Sequence, residues 1–149
     1  METATGYELL REILATADVF LRESQRLFRP HGLTAAQYNV LSVLADKEAG
    51  ISQRELGDVL VVDRSNVTGL LDRLEKAGWV KRTDDPDDRR VYRVKLTPAG
   101  RKLWAKVCPH YEAVVAQVTQ GLGERKMRDL LATLKKLQTG AGSWTLPEA

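Results

Sequence analysis

Only once along this 149-residue chain does the spacing of apolar residues change from a helical period to an alternating one, and that change restricts the fold more than any other feature. Trp79-Val80-Lys81-Arg82 and Val91 to Leu96 read as two strands, the second alternating Val91, Arg93 and Lys95 against Tyr92, Val94 and Leu96. Between them Thr83-Asp84-Asp85-Pro86-Asp87-Asp88 is an acidic, turn-rich tip. A lone hairpin is at best marginally stable in water, so its apolar face must be covered by the surrounding helices. The expected class is mainly α with a small β-hairpin.

The helices follow from apolar residues at three- and four-residue steps. Leu9, Leu10, Ile13, Leu14, Ala17, Phe20, Leu21, Leu27 and Phe28 mark a first helix over 7–28, ended by Pro30 and Gly32. Thr34 with Gln37 forms a capping box for a second, running through Val40, Leu41, Val43 and Leu44 to a stop near Gly50. Ser52 and Glu55 repeat the box and open a short third helix, and Asp63 is an N-cap candidate for a fourth over 64–77, with Gly78 as its C′ residue. After the hairpin, Thr97-Pro98 starts a fifth helix, which Pro109 is expected to kink or split. Met127, Leu130, Leu131, Leu134 and Leu137 mark a sixth, followed by a loosely ordered tail over 139–149.

Composition excludes several functions. Hydrophobic residues at 43% and charged residues at 29% suit a folded domain rather than a disordered one. The net charge of +3 is too small to announce a nucleic-acid partner, and residues 51–96 carry ten basic against nine acidic side chains. Cys108 is the single cysteine, which suits a reducing cytosol and forbids an internal disulfide. No basic cluster precedes an apolar run at the start, and no stretch approaches the roughly 20 apolar residues that span a bilayer, so a cytoplasmic protein without membrane contact is expected. Two histidines and one cysteine are too few for a zinc site, so neither a metal nor a cofactor is expected. No nucleophile with a base and no phosphate-cradling glycine loop occurs, so no catalytic residue is assigned and no enzyme is expected.

A short helix, a tight turn, a second helix and a hairpin, in that order over 51–96, make a winged helix-turn-helix. The test is whether the fourth helix keeps a face fit for a DNA groove once its core face is removed. At 100° per residue its buried side centres on Val67, Leu70, Leu71 and Leu74, which leaves Ser65, Gly69, Asp72 and Lys76 opposite, flanked by Asn66, Thr68 and Arg73. Asn pairs bidentately with adenine, Ser and Thr bond bases or phosphates, and Arg bonds guanine or phosphate. Gly69 costs about 1 kcal/mol against Ala in a helix interior, which either close approach to bases or close packing on another helix would offset. Asp87-Asp88-Arg89-Arg90 at the hairpin tip sets two guanidiniums behind acids that can hold them for a minor groove. The competing reading is a winged-helix module that docks a protein and reads no DNA sequence.

These segments resemble the MarR family of bacterial transcription regulators over about residues 7–138. The resemblance is carried by Leu33-Thr34-Ala35-Ala36-Gln37-Tyr38, by Asp63 to Gly78, by Asp84-Asp85-Pro86-Asp87-Asp88-Arg89-Arg90 and by Val94-Lys95-Leu96-Thr97-Pro98-Ala99-Gly100. It implies a winged helix-turn-helix over 33–96, and a helical dimerisation region from 7–32 and 97–138 that pairs two chains on a pseudo-palindromic duplex as a repressor. The implied DNA-contacting set is Ser52, Arg54, Arg64, Ser65, Asn66, Thr68, Gly69, Arg73, Asp88, Arg89 and Arg90, with Arg90 in the minor groove and Asp88 its positioning partner. Many members carry a basic residue where this chain has Gly69, so guanine reading from that position is not available. Many also release DNA when a small aromatic or anionic molecule enters a crevice between the two parts. Phe28, His31, Tyr38, Trp104, Cys108 and Tyr111 lie on the helices that would line it.

Overall fold

The computed structural model describes residues 2–60, 64–88 and 90–143. Along the chain run α1 (Glu2–Phe28), a 3-10 turn (Arg29–His31), α2 (Ala35–Ala45), β1 (Ile51–Ser52), α3 (Gln53–Val59), α4 (Arg64–Lys76), β2 (Val80–Asp84), β3 (Tyr92–Leu96), α5 (Pro98–Val118) and α6 (Glu124–Ser143). The chain divides into two compact units between Glu112 and Ala113, inside α5.

Both capping boxes form. Thr34 Oγ1 accepts the Gln37 N–H at 3.2 Å while Gln37 Oε1 accepts that of Thr34 at 2.8 Å. Ser52 and Glu55 repeat the exchange at 3.1 and 2.7 Å. Each box satisfies two donors that a helix start would leave bare. At the other end of α4, Gly78 adopts φ 75°, its N–H bonds Glu75 O, and the Trp79 N–H bonds Leu74 O. This is a Schellman ending, and the left-handed residue it needs is the glycine.

In the first unit the core gathers Phe28, Leu33 and Tyr38, then Val40, Leu41 and Leu44 of α2, Leu56 of α3, Val67, Leu70, Leu71 and Leu74 of α4, Val80, Val94, and Val107 of α5. Helical counting chose the right face of α4, and each such buried side chain stabilises the fold by about 1.5–3 kcal/mol. The strands form an antiparallel sheet in the order β1-β3-β2, with Val80 opposite Leu96, Arg82 opposite Val94 and Asp84 opposite Tyr92. The start of α5 is fastened to the end of α4. Thr97 Oγ1 donates to Gly78 O at 2.6 Å and accepts from the Gly100 N–H at 3.0 Å, while the Thr97 N–H bonds Trp79 O. A Cβ on Gly100 would run into the Trp79 carbonyl, so the close approach requires glycine there. Arg101 Nη1 further donates to Ala45 O at the end of α2, at 3.1 Å.

Several expectations are corrected. α1 already includes Glu2, five residues before Tyr7. α2 stops at Ala45 rather than near Gly50, because the Lys47 N–H turns back to Leu44 O and that of Gly50 to Lys47 O. Ile51–Ser52 is a third strand, paired with Val94 and Arg93 and too short to show a period. α5 is one helix through Pro109, so the proline does not split it; full turns on either side compensate for the single bond it removes. α6 reaches Ser143, five residues into the stretch expected to be loosely ordered, where the Ser143 hydroxyl bonds back to Thr139 O. The Asp63 cap and the end of the tail, 144–149, lie outside the described residues.

Within α1, Tyr7, Leu9, Leu10, Leu14, Phe20 and Leu21 are exposed, so most of its apolar stripe is uncovered in the single chain. In the second unit Val114, Val115, Val118, Leu122, Leu130 and Leu131 are likewise exposed.

Candidate nucleic-acid interface

α3 and α4 are joined where both meet solvent. Gln53 Nε2 donates to Thr68 Oγ1 at 2.8 Å, fixing the hydroxyl of the second helix from the first residue of the other. Asn66, Thr68, Asp72, Arg73 and Lys76 are exposed along α4, and Gly69 is half-buried among them. Among the described residues a Cβ on Gly69 would meet only Arg73 Nη2, at an ordinary 3.9 Å. Packing against another helix therefore does not explain this glycine among the described residues. Arg64 and Ser65 begin α4, and Arg89 lies outside the described residues.

The hairpin tip is organised by an acid that the sequence pattern did not single out. Asp85 is 8% exposed. Its Oδ1 accepts the N–H groups of Asp87 at 2.8 Å and Asp88 at 3.3 Å, and its Oδ2 accepts Arg93 Nε at 2.6 Å. The two backbone donors and the Arg93 guanidinium hold this carboxyl below its ordinary 3.8. Arg93 in turn donates to Gly50 O at 3.1 Å, fastening the hairpin to the loop before β1. Gly50 has φ 75°, and a Cβ there would lie 2.7 Å from Val94 O, so strand and loop meet at a position only glycine fills. Asp88 acts differently from expectation: its Oδ1 accepts the backbone N–H of Arg90 at 2.9 Å. It shapes the chain under Arg90 rather than gripping the guanidinium.

A cleft of about 450 Å³ brings Ser52, Gln53 and Arg54 of the α3 start together with Gly57, Val67, Arg90, Val91 and Tyr92. Three of the expected contact residues, Ser52, Arg54 and Arg90, thus line one concavity between α3, α4 and the wing. The Ser52 oxygen is already engaged as the α3 cap, which leaves its hydrogen to donate. The same cap exchange, with the Ser52 backbone N–H first, holds the Glu55 carboxyl below its ordinary range. Gln53, Asp85 and Arg93 were missed. A polar first residue after a capping serine, and Asp two residues before Asp in a Pro turn, were the available signals.

The six aromatic, thiol and imidazole candidates do not form an open site as a set. Phe28 and Tyr38 are 1% and 2% exposed and stack at 4.4 Å, with Tyr111 5.6 and 5.1 Å from the two rings. They belong to the core, and burial pushes the Tyr38 phenol up to about 12, so it stays protonated. Burial, then Glu112 at 3.5 Å, raises the Cys108 thiol and favours its neutral form. His31 and His110 lie with ring centroids 6.3 Å apart. Trp104 is half-buried, and its Nε1 is buried without a partner among the described residues.

Three comparisons bear on this arrangement. The model of the MarR family matches residues 31–91. The HTH-type transcriptional regulator TtmR of Methylorubrum extorquens (strain PA1) is 38% identical over 146 residues, spanning 95% of this chain and 73% of that protein. The multiple antibiotic resistance protein MarR of Escherichia coli (strain K12) is 39% identical over 109 residues, 72% of each chain. Among solved structures, a mutant E. coli MarR complexed with operator DNA superposes with TM-score 0.77 at 31% identity, covering 87% of this chain and 93% of that one.

Proposed function

This chain belongs to the MarR family and is a DNA-binding transcription regulator, and from that premise we propose that it acts as a homodimer on a pseudo-palindromic operator, as a repressor in the cytoplasm. α4 enters the major groove, with Asn66 and Thr68 at base edges and Ser52, Arg54, Arg64, Ser65 and Arg73 at bases or phosphates. Arg90, supported by Asp88 and flanked by Arg89, enters the adjacent minor groove. The observation that carries this reading is the polar face of α4, tied through Thr68 to Gln53 and set beside the cleft that holds Arg54 and Arg90.

Dimerisation is supported by the uncovered apolar side chains of α1 and, separately, of residues 114–131. Exposed apolar surface on that scale marks an association face. Isologous pairing sets two recognition helices roughly 34–36 Å apart, one turn of DNA. A small aromatic or anionic effector relieves binding by favouring a dimer spacing that cannot span both grooves. His31, Trp104, Cys108 and Tyr111 are its candidate contacts, since Phe28 and Tyr38 are closed into the core. The test is selection of duplexes from a randomised pool, followed by titration of the winner against mixed-sequence duplex. Enrichment supports the regulator, whereas equal binding to both favours a winged helix that docks protein.

A further inference from the structure

Arg82 is absent from the DNA-contacting set, yet it bonds to two acids of the recognition helix, Asp72 and Glu75. It lies two residues after Val80 and so on the same face of β2, where the core gives way to the exposed acids of α4. Its guanidinium pairs with Asp72 through Nη2, and its Nε, cut off from solvent, has Glu75 Oε2 at 3.8 Å. Its backbone N–H donates to Glu75 Oε1 at 2.9 Å, which also covers a donor on the open edge of β2. The Arg82 side chain is 21% exposed, against 57% for Asp72 and 41% for Glu75, so the cation comes from below while both acids face solvent.

Asp72 stands one turn after Thr68 on the same face of α4. An unpaired carboxylate there would oppose phosphates wherever Thr68 approaches DNA. We propose that Arg82 is a positioning residue for DNA binding: it cancels Asp72 and Glu75 on the recognition helix and locks that helix to the first strand of the wing. This rests on the proposed placement of α4 in the groove. Helix and wing must dock in neighbouring grooves together, and a clamp between them fixes the angle beforehand. The competing account is a surface ion pair that contributes to stability alone.

The experiment measures affinity for two probes, the duplex recovered by selection with the wild-type protein and a mixed-sequence duplex of equal length, with thermal midpoints in parallel. Arg82→Gln is expected to weaken both by about tenfold or more, and Arg82→Lys, which keeps the charge, by no more than about threefold. Adding Asp72→Asn to Arg82→Gln returns affinity by about threefold, while Asp18→Asn on α1, an equal change in net charge, returns none. If Arg82→Gln does not fold, Asp72→Asn in the otherwise wild-type protein decides: losing the clamp weakens binding to the selected duplex at an unchanged thermal midpoint, and unchanged or tighter binding overturns the inference. A wild-type protein that binds while Arg82→Gln binds equally well, or whose loss Asp72→Asn does not relieve, overturns the inference and leaves the regulator standing. A wild-type protein that binds neither probe overturns both.

Discussion

Replacing Gly69 by alanine should make the protein more stable and a poorer DNA binder at once. Glycine inside a helix forgoes about 1 kcal/mol against alanine, because the free chain loses more entropy on folding. Among the described residues the added methyl at Gly69 would meet only the far end of Arg73, at 3.9 Å, so no steric cost from them offsets that gain. Gly69→Ala is therefore expected to stabilise by about 0.5–1 kcal/mol, raising the thermal midpoint by about 1.5–3 °C at fixed protein concentration. With α4 in the groove as proposed, a hydrogen at this position lets the helix sit closer to base edges than a side chain would. The methyl should then cost about tenfold in affinity for the selected duplex, about 1.4 kcal/mol, and little on mixed-sequence DNA. Thermal denaturation and fluorescence-anisotropy titration read the two effects separately. A lowered midpoint would refute the packing argument, and unchanged affinity would refute the close approach.

The wing and the base-reading face give two more expectations. Asp85 has a depressed folded pKa, so its stabilisation is fully present above its ordinary 3.8 and is lost as pH falls below that toward the depressed value. Urea midpoints of wild type and Asp85→Asn should differ at pH 7 and converge in strong acid; a gap that persists there would show that the carboxylate charge is not what holds Arg93 and the turn. Arg90→Ala should weaken binding to every duplex and flatten the dependence on salt, while Asn66→Ala should cost about 1–3 kcal/mol at one base pair and relax specificity there. The reverse pattern in a panel of single-base variants would exchange their roles.

What the sequence disclosed depended on how far apart the interacting residues lie. The capping boxes, the Gly78 ending and the buried face of α4 are set by neighbours within one or two turns, and each was legible. The partners across the sheet were not. Arg93 reaches Asp85 over the hairpin and Gly50 across 43 positions, and both contacts exist only once β1, β3 and the turn take their register. Arg82 and Asp72 are ten residues apart on different elements, so neither periodicity nor charge counting pairs them. Among the acids of the tip, the sequence pointed to Asp88 as the partner of Arg90 and gave the others no separate role. The fold instead divides them: Asp85 is buried and builds the turn, and Asp88 spans two residues to a backbone N–H, the ordinary reach of an Asx turn. Phe28 and Tyr38 were visible as members of apolar helix faces, but which neighbours close over them is a tertiary fact, and their stacking removes them from an open crevice.

The near balance of charge over residues 51–96 now has a structural reason, since Asp72, Glu75 and Asp85 are engaged with Arg82 and Arg93. Those three acids are thereby paired with cations that lie outside the set on the face assigned to DNA. Bulk charge understates what that face offers to phosphate.

The measurement that bears most directly on this account is selection of duplexes by the wild-type protein from a randomised pool, with the stoichiometry of the winning complex determined by sedimentation. The account predicts a pseudo-palindrome with half-site centres about 10–10.5 base pairs apart, bound by two chains. A pool that shows no enriched sequence, or a specific complex containing one chain, would contradict it.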